Sequence, residues 1–197
     1  MAIKKENRNI PQHYNIGYVG DTKARNDDNS YQMWRSMLRR CYDLKYKKKQ
    51  PTYYNCTVCE EWLSFSNFKI WYNDNYYMVD NEKMQLDKDI LIKGNKIYSP
   101  QTCIIVPRNI NSLFAFRKIN KKHLLGVKIT KNNKYEARLS IDNTYKHLGI
   151  YETELEAFNA YKTAKENNIK RVADDYKGEI PNKLYEALYN YSINITD

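Results

Sequence analysis

Between residues 124 and 165 the hydrophobic pattern changes period, and that change constrains the fold more than any other feature of the sequence. Three short runs rich in β-branched and aromatic residues, 124–130, 134–141 and 145–151, are separated by Lys131-Asn132-Asn133 and Asp142-Asn143-Thr144. Asn tolerates positive φ and Asp/Asn side chains bond the local backbone, so both clusters predict tight turns. In the middle run Tyr135, Ala137, Leu139 and Ile141 alternate with Glu136, Arg138 and Ser140, the period of a half-buried strand. Beyond residue 152 the spacing becomes helical. Thr153 is placed to cap, and Glu154 and Glu156 fall in the first turn, where the helix dipole favours negative charge. Leu155, Phe158, Ala160, Tyr161 and Ala164 form the apolar stripe. The pattern predicts a three-stranded antiparallel sheet packed on one helix, in an α+β chain. The other face of the sheet is expected to carry Lys128, Thr130, Arg138, Ser140, Tyr145 and His147, and nothing acidic.

Charge is distributed unevenly around this unit. Of the residues behind the formal charge of +10, the 22 basic and 12 acidic ones of 1–122 supply the whole excess, while 123–197 holds eleven of each. Within the C-terminal part, 123–149 is basic and 150–197 acidic. A basic sheet with an acidic helical backing suits a polyanionic partner. Aromatic residues make up 14% of the chain, too many for a disordered one. No run of 18 apolar residues occurs, so no membrane span is expected, and MAIKKENRNI lacks the apolar core of a signal peptide. Four cysteines without an export signal point to a reducing cytoplasm.

The N-terminal half reads as a second unit. Residues 1–28 are a polar arm without periodicity. Ser30 or Asn29 then caps a helix whose Tyr31, Trp34, Met37, Leu38, Cys41 and Tyr42 form a buried stripe. Arg35, Arg39 and Arg40 fall outside that stripe and lead into a basic loop, Lys45–Lys49, a set suited to phosphate contacts. Ser66 is placed to cap a short helix through Trp71. Two strand-like runs flank a turn at Lys93–Asn95, and Asn109–Phe114 suggests another helix. A final helix opens at Pro181 with Leu184, Tyr185 and Leu188 on one side, after which the tail is expected to fray.

Two family resemblances are carried by these residues. The order GV…KYEARLS…KHLGIYETELEAFNAY, over about residues 123–176, resembles the ethylene-response-factor (APETALA-type) DNA-binding domain. Two tryptophans of the plant members stand here as Tyr135 and His147. The segments W..ML.RCY, VCEEW..F.NF..W and LDKDIL..GNK.YSP.TC..V, over about 30–115, are similar to phage-encoded HNH-type homing endonucleases, many of which carry the same C-terminal module. Together they imply an arm (1–28), a small HNH-like ββα-metal (His-Me finger-like) domain (29–120), the sheet-plus-helix DNA-binding domain (123–176) and a terminal helix and tail (177–197). In the DNA-binding family the sheet lies in the major groove, which implies double-stranded DNA as the partner.

HNH chemistry needs a histidine base, side chains holding one divalent cation on the phosphate, and an Asn orienting the histidine. The resemblance places Lys88 at the base position and Thr102 at the usual Asn, and no histidine lies between His13 and His123. Asp87 and Asp89 could bind Mg²⁺ or Mn²⁺, with Asn109 or Asn111 closing the site; an Asp-x-Asp in a strand is also commonly a plain solvent face. In a strand both carboxylates would share one side. Lys88 would need a strongly lowered pKa to act as a base, and flanking carboxylates do the opposite. Cys56-x-x-Cys59 with Cys41 and Cys103 could form a four-thiolate Zn²⁺ site, or the thiols could simply be buried. The expectation is a phage-encoded DNA-binding relative of HNH homing endonucleases, a metal-dependent nuclease or a degenerate one. The alternative is a non-catalytic regulator, or a phage protein repurposed to inhibit a host defence system through protein contacts.

Overall fold

The computed structural model describes residues 10–115, 122–141 and 144–197; residues 1–9 of the expected arm and Asp142 and Asn143 of the second expected turn lie outside them. The chain forms two compact units of mixed helix and sheet, Met1–Arg108 and Asn109–Asp197.

In the first unit, α1 (Asn29–Tyr42) buries Tyr31, Trp34, Met37, Leu38 and Cys41, and Tyr42 is half-buried. Its cap is Asp28, not Ser30 or Asn29: the Asp28 carboxylate accepts from the Ser30 and Tyr31 backbone N–H groups. The run expected as a basic loop is a second helix, α2 (Leu44–Lys49), because the Asp43 side chain caps it by accepting from Lys45 N and Tyr46 N. After β1 (Thr57–Val58) and a 3₁₀ turn (Glu60–Leu63), α3 spans Phe65–Asn75, past Trp71. Ser66 does not cap it. Its hydroxyl instead donates to Val19 O and accepts from Thr22 N, pinning the arm. Tyr18 and Val19 also exchange backbone bonds with Leu63, Phe65 and Ser66, so this part of the arm is wall rather than loose strap.

Strands β2 (Met84–Asp87), β3 (Ile97–Tyr98) and β4 (Ile104–Pro107) complete this unit; α4 (Arg108–Ser112) begins at its last residue and otherwise belongs to the second unit. The two runs flanking the Lys93–Asn95 turn do not pair with each other. β2 runs antiparallel to β4 with Asp87 opposite Ile104, and β3 runs parallel to β1. The core is mainly aromatic: Trp34, Trp62, Phe65 and Phe68 are fully buried, and Trp34 Nε1 donates to Trp62 O at 2.7 Å. Burial of each such ring is worth roughly 1.5–3 kcal/mol, so this cluster sets the position of α1 against α3.

The second unit contains the sheet β5 (Val127–Ile129), β6 (Tyr135–Ile141) and β7 (Thr144–Tyr151), antiparallel in that order. Helix α5 (Glu154–Asp175) starts in a capping box in which Thr153 and Glu156 satisfy each other's backbone N–H. It buries Ala157, Phe158 and Tyr161 against Val127, Ala137 and Leu139. Leu155 lies off that stripe and is 52% exposed, contrary to its predicted place. Gly126 has φ +75°, and a Cβ there would meet the Tyr161 ring at 2.1 Å, so only glycine lets the strand pass under α5. Helix α6 (Asn182–Tyr189) buries Leu184 and Leu188, with Tyr185 half-buried. The tail beyond it does not fray at once. Ile193 is 1% exposed in the same core, its N–H bonded to Glu166 Oε1 and its carbonyl to Lys162 Nζ. No helix among the described residues is long and apolar enough to cross a membrane.

Candidate nucleic-acid interface and the Asp87 turn

Residues opposite one another in neighbouring strands share a face of the sheet. Register places Lys128 opposite Glu136, Glu136 opposite Ile150, Arg138 opposite His147 and Ser140 opposite Tyr145, all on the side away from α5. Five of the six predicted residues therefore lie together. Thr130 instead closes the β5–β6 hairpin, its N–H donating to Lys134 O and its Oγ1 accepting from Lys134 N.

The face is not free of acid. Glu136 alternates with Arg138 in the sequence and stands at its centre, with Oε2 2.7 Å from Arg138 Nη2 and Oε1 2.7 Å from His147 Nδ1. The hydrogen bond from Arg138 holds the Glu136 carboxyl below the usual carboxylate range; slight burial opposes this and His147 assists it. The same bond raises Arg138. The β-bulge between Ala137 and Arg138 re-aims this part of the strand. Around the charged fork, Tyr145 is 66% and Ile150 56% exposed, an aromatic and an apolar surface beside it. Such a face offers N–H donors, a ring nitrogen and apolar contact, the combination that reads base edges and phosphates.

On α1, Arg35 and Arg39 are exposed as expected. Arg39 packs over Tyr46 and reaches Asp43 at 3.7 Å. Lys45, Lys48 and Lys49 of α2 are exposed, while Lys47 donates to Tyr54 O. Arg40 is the correction on this helix. It turns inward, and Nη1 donates to Leu86 O at 3.2 Å and to Tyr98 OH at 3.3 Å.

The strand expected through Asp87–Lys88–Asp89 stops at its first residue, and Lys88 and Asp89 lie in the bend that follows. β2 ends at Asp87, whose Oδ1 accepts from Asp89 N at 2.8 Å and Ile90 N at 2.7 Å. The two carboxylates therefore do not share a strand face. Burial and the charge of Asp89 push Asp87 up to about 6, against the bonds from Ile90 and Asp89 and the charge of Lys88. Lys88 is 6% exposed, with Nζ 2.9 Å from Asp89 Oδ2. Burial works to lower its pKa, but the bond and charge of Asp89 prevail and raise it, so it stays an ammonium at neutral pH. One oxygen of each carboxylate is thus committed, to the turn and to Lys88. Lys88, held as an ammonium by Asp89, does not supply the neighbouring base that the chemistry needs.

The other candidates divide by unit. Asn111 and Asn109 belong to the second unit and Asp87 to the first; Asn109 Nδ2 donates to Tyr176 OH. Thr102 Oγ1 donates to Ile97 O. His13 Nε2 lies 2.8 Å from Tyr31 OH with its ring edge-on to Trp34, and burial, then Arg35, lowers its pKa. His123 faces Glu154 at 3.2 Å.

Cys41, Cys56, Cys59 and Cys103 are free thiols, all but Cys59 buried. Burial raises all four, Cys41 and Cys103 to about 12. Among the described residues no three His, Cys, Asp or Glu side chains form a group that could hold a metal ion. No protein-family model, curated protein or solved structure matches the chain.

Proposed function

We propose that the chain binds double-stranded DNA through the open face of β5–β7 and does not hydrolyse it. The observation that carries this reading is the Glu136-centred fork. It holds Arg138 and His147 side by side on a sheet face that α5 leaves uncovered, with Lys128 across the strand and Tyr145 and Ile150 exposed beside it. A β-ribbon fits the major groove, about 12 Å wide, and an arginine there can bond a guanine edge through two N–H groups. The resemblance to the ethylene-response-factor domain supports the same face.

In the first unit, the antiparallel β2–β4 pair supports the two-stranded part of the resemblance to a ββα core. The turn between the strands supports binding without cleavage: Asp87 caps it and Lys88 is held as an ammonium. A regulatory protein of phage type, acting by occupying DNA, is the function this combination suits. Exposed Tyr145 and Ile150 also suit a contact with a protein, which would place the chain among inhibitors that act through protein surfaces.

Selection of sites from a random duplex pool, followed by anisotropy titration, tests the proposal. Saturable duplex binding that weakens on Arg138→Ala is expected, and plasmid nicking is expected to be absent with either Mg²⁺ or Mn²⁺. Duplex affinity indifferent to Arg138 and Lys128 would overturn the sheet assignment, and metal-dependent nicking would overturn the non-catalytic one.

A further inference from the structure

The inward turn of Arg40 opens a second site, wholly within the first unit. A cavity of about 440 Å³ lies among α1, α3 and β2, lined in part by Arg40, Tyr72, Tyr76, Glu82, Lys83 and Leu86. That volume is within the range of small-ligand sites, roughly 300–1,000 Å³.

Among the described residues Arg40 has no carboxylate partner: it bonds the Leu86 carbonyl and the Tyr98 hydroxyl, both through Nη1, and stacks near the Tyr53 ring at 5.9 Å. Burial works to lower its pKa, and Tyr98 and Tyr53 counter it, so it remains charged. Its Nε and Nη2 bond no protein atom among the described residues, and neither is fully buried. Nε and Nη2 form one edge of the guanidinium, the planar fork that matches an oxyanion with two parallel N–H bonds. A charge withdrawn from bulk water gains most from a partner of opposite sign. The lining adds Lys83 and one carboxylate, Glu82, and is net positive.

The other wall is aromatic. Tyr72 and Tyr76 stack with ring centroids 4.8 Å apart and planes 25° apart, and both line the cavity. A flat heteroaromatic ring can extend such a stack whatever its substituents.

We propose that this cavity is a nucleotide site, with phosphate on the Nε/Nη2 edge of Arg40 and a base against the Tyr72–Tyr76 pair. The chemistry is shared by a free mononucleotide and by a nucleotide drawn out of a nucleic acid strand. The proposal does not depend on the sheet of the second unit.

Calorimetric titration of the full chain with a nucleoside 5′-monophosphate, the matching nucleoside, and a short single-stranded oligonucleotide tests it. The monophosphate is expected to bind once per chain, with the nucleoside weaker by about tenfold or more for loss of a charge-assisted pair. Arg40→Lys and Tyr76→Leu are each expected to weaken binding, and Arg138→Ala to leave it unchanged. Because Arg40 also ties Leu86 and Tyr98, Tyr76→Leu, on a half-buried ring, decides the case if Arg40→Lys does not fold. Binding of the oligonucleotide alone, dependent on Tyr76, would assign the nucleotide to a strand and support the site. Absence of saturable binding by both ligands, or binding indifferent to Tyr76 and Arg40, would overturn it.

Discussion

Glu136 and Arg138, two residues apart on β6, are joined at 2.7 Å through Oε2 and Nη2 on the uncovered face of the sheet. The same carboxylate holds His147 through its other oxygen, so one acidic side chain fixes two potential readers at once. The pair is about one-third exposed at Arg138, so its Coulombic worth in isolation is small. Its effect is on direction and on the sign of the local charge.

Arg138→Ala is expected to lower affinity for a selected duplex by about 1–3 kcal/mol, the usual worth of a bidentate base contact. Glu136→Ala should act differently. Removing a negative charge from a face near phosphate strengthens binding to arbitrary duplex, while releasing Arg138 and His147 reduces the preference for the selected site. Anisotropy titrations on selected and scrambled duplexes measure both. A Glu136→Ala protein with unchanged discrimination would remove the orienting role from this carboxylate.

The exposed cations of the first unit make a separate electrostatic prediction. Neutralising Lys45, Lys48 and Lys49 should weaken all duplexes alike and flatten the log–log salt dependence by about 0.9 for each residue that touches phosphate. Arg39→Gln should join them. Arg40 should not, since it turns inward, with Nη1 on Leu86 O and Tyr98 OH. A salt dependence identical in the triple variant and the unmodified chain would exclude α2 from the contact.

Sequence pattern made some of this structure legible and hid the rest for physical reasons. The alternation of Tyr135, Ala137, Leu139 and Ile141 and the Thr153 capping box are local signals, and the sheet and α5 form where those signals place them. Glu136 was legible too, because the alternation that puts Arg138 on the open face puts Glu136 there. The turn at Asp87 was not, because an Asp-x-Asp in a strand and an Asp accepting two backbone N–H bonds have the same sequence. Arg40 was hidden for a related reason: helical spacing puts it off the apolar stripe, but its partners Leu86 and Tyr98 come from strands far along the chain. The Lys45–Lys49 run became a helix through a single capping residue, Asp43.

Asp87 carries a pH prediction whose sign follows from its raised pKa. Its folded pKa stands at about 6 against an ordinary 3.8. Between those values the folded chain holds a proton that the unfolded chain has released, so this group's contribution to stability is full below about 3.8 and is lost as pH rises through about 6. Asn keeps an acceptor oxygen for the Asp89 and Ile90 N–H groups and carries no charge. Asp87→Asn is therefore expected to stabilise the chain at pH 7 by about 1 kcal/mol, with the gain vanishing near pH 4. Thermal melts across that range measure it. A loss of stability at pH 7, or loss of a nicking activity with the substitution, would reverse the assignment.

The last prediction concerns the C-terminal clamp. Ile193 is 1% exposed among Leu125, Phe158 and Tyr161, and its backbone is bound on both sides by the Lys162–Glu166 pair of α5. Truncating a buried isoleucine removes its transfer free energy and leaves a cavity that the surroundings fill only in part. Ile193→Ala should cost about 2–4 kcal/mol in urea denaturation of the chain, within the range for large-to-small core changes. Glu166→Gln should cost less, since it retains an acceptor for the Ile193 N–H but gives up the charge on Lys162. Because Val127, Ala137 and Leu139 share the core with Ile193, the loss should also loosen the underside of the sheet and weaken duplex binding. If Ile193→Ala leaves the denaturation midpoint where it was, the tail does not hold the core, and the second unit ends energetically at α6.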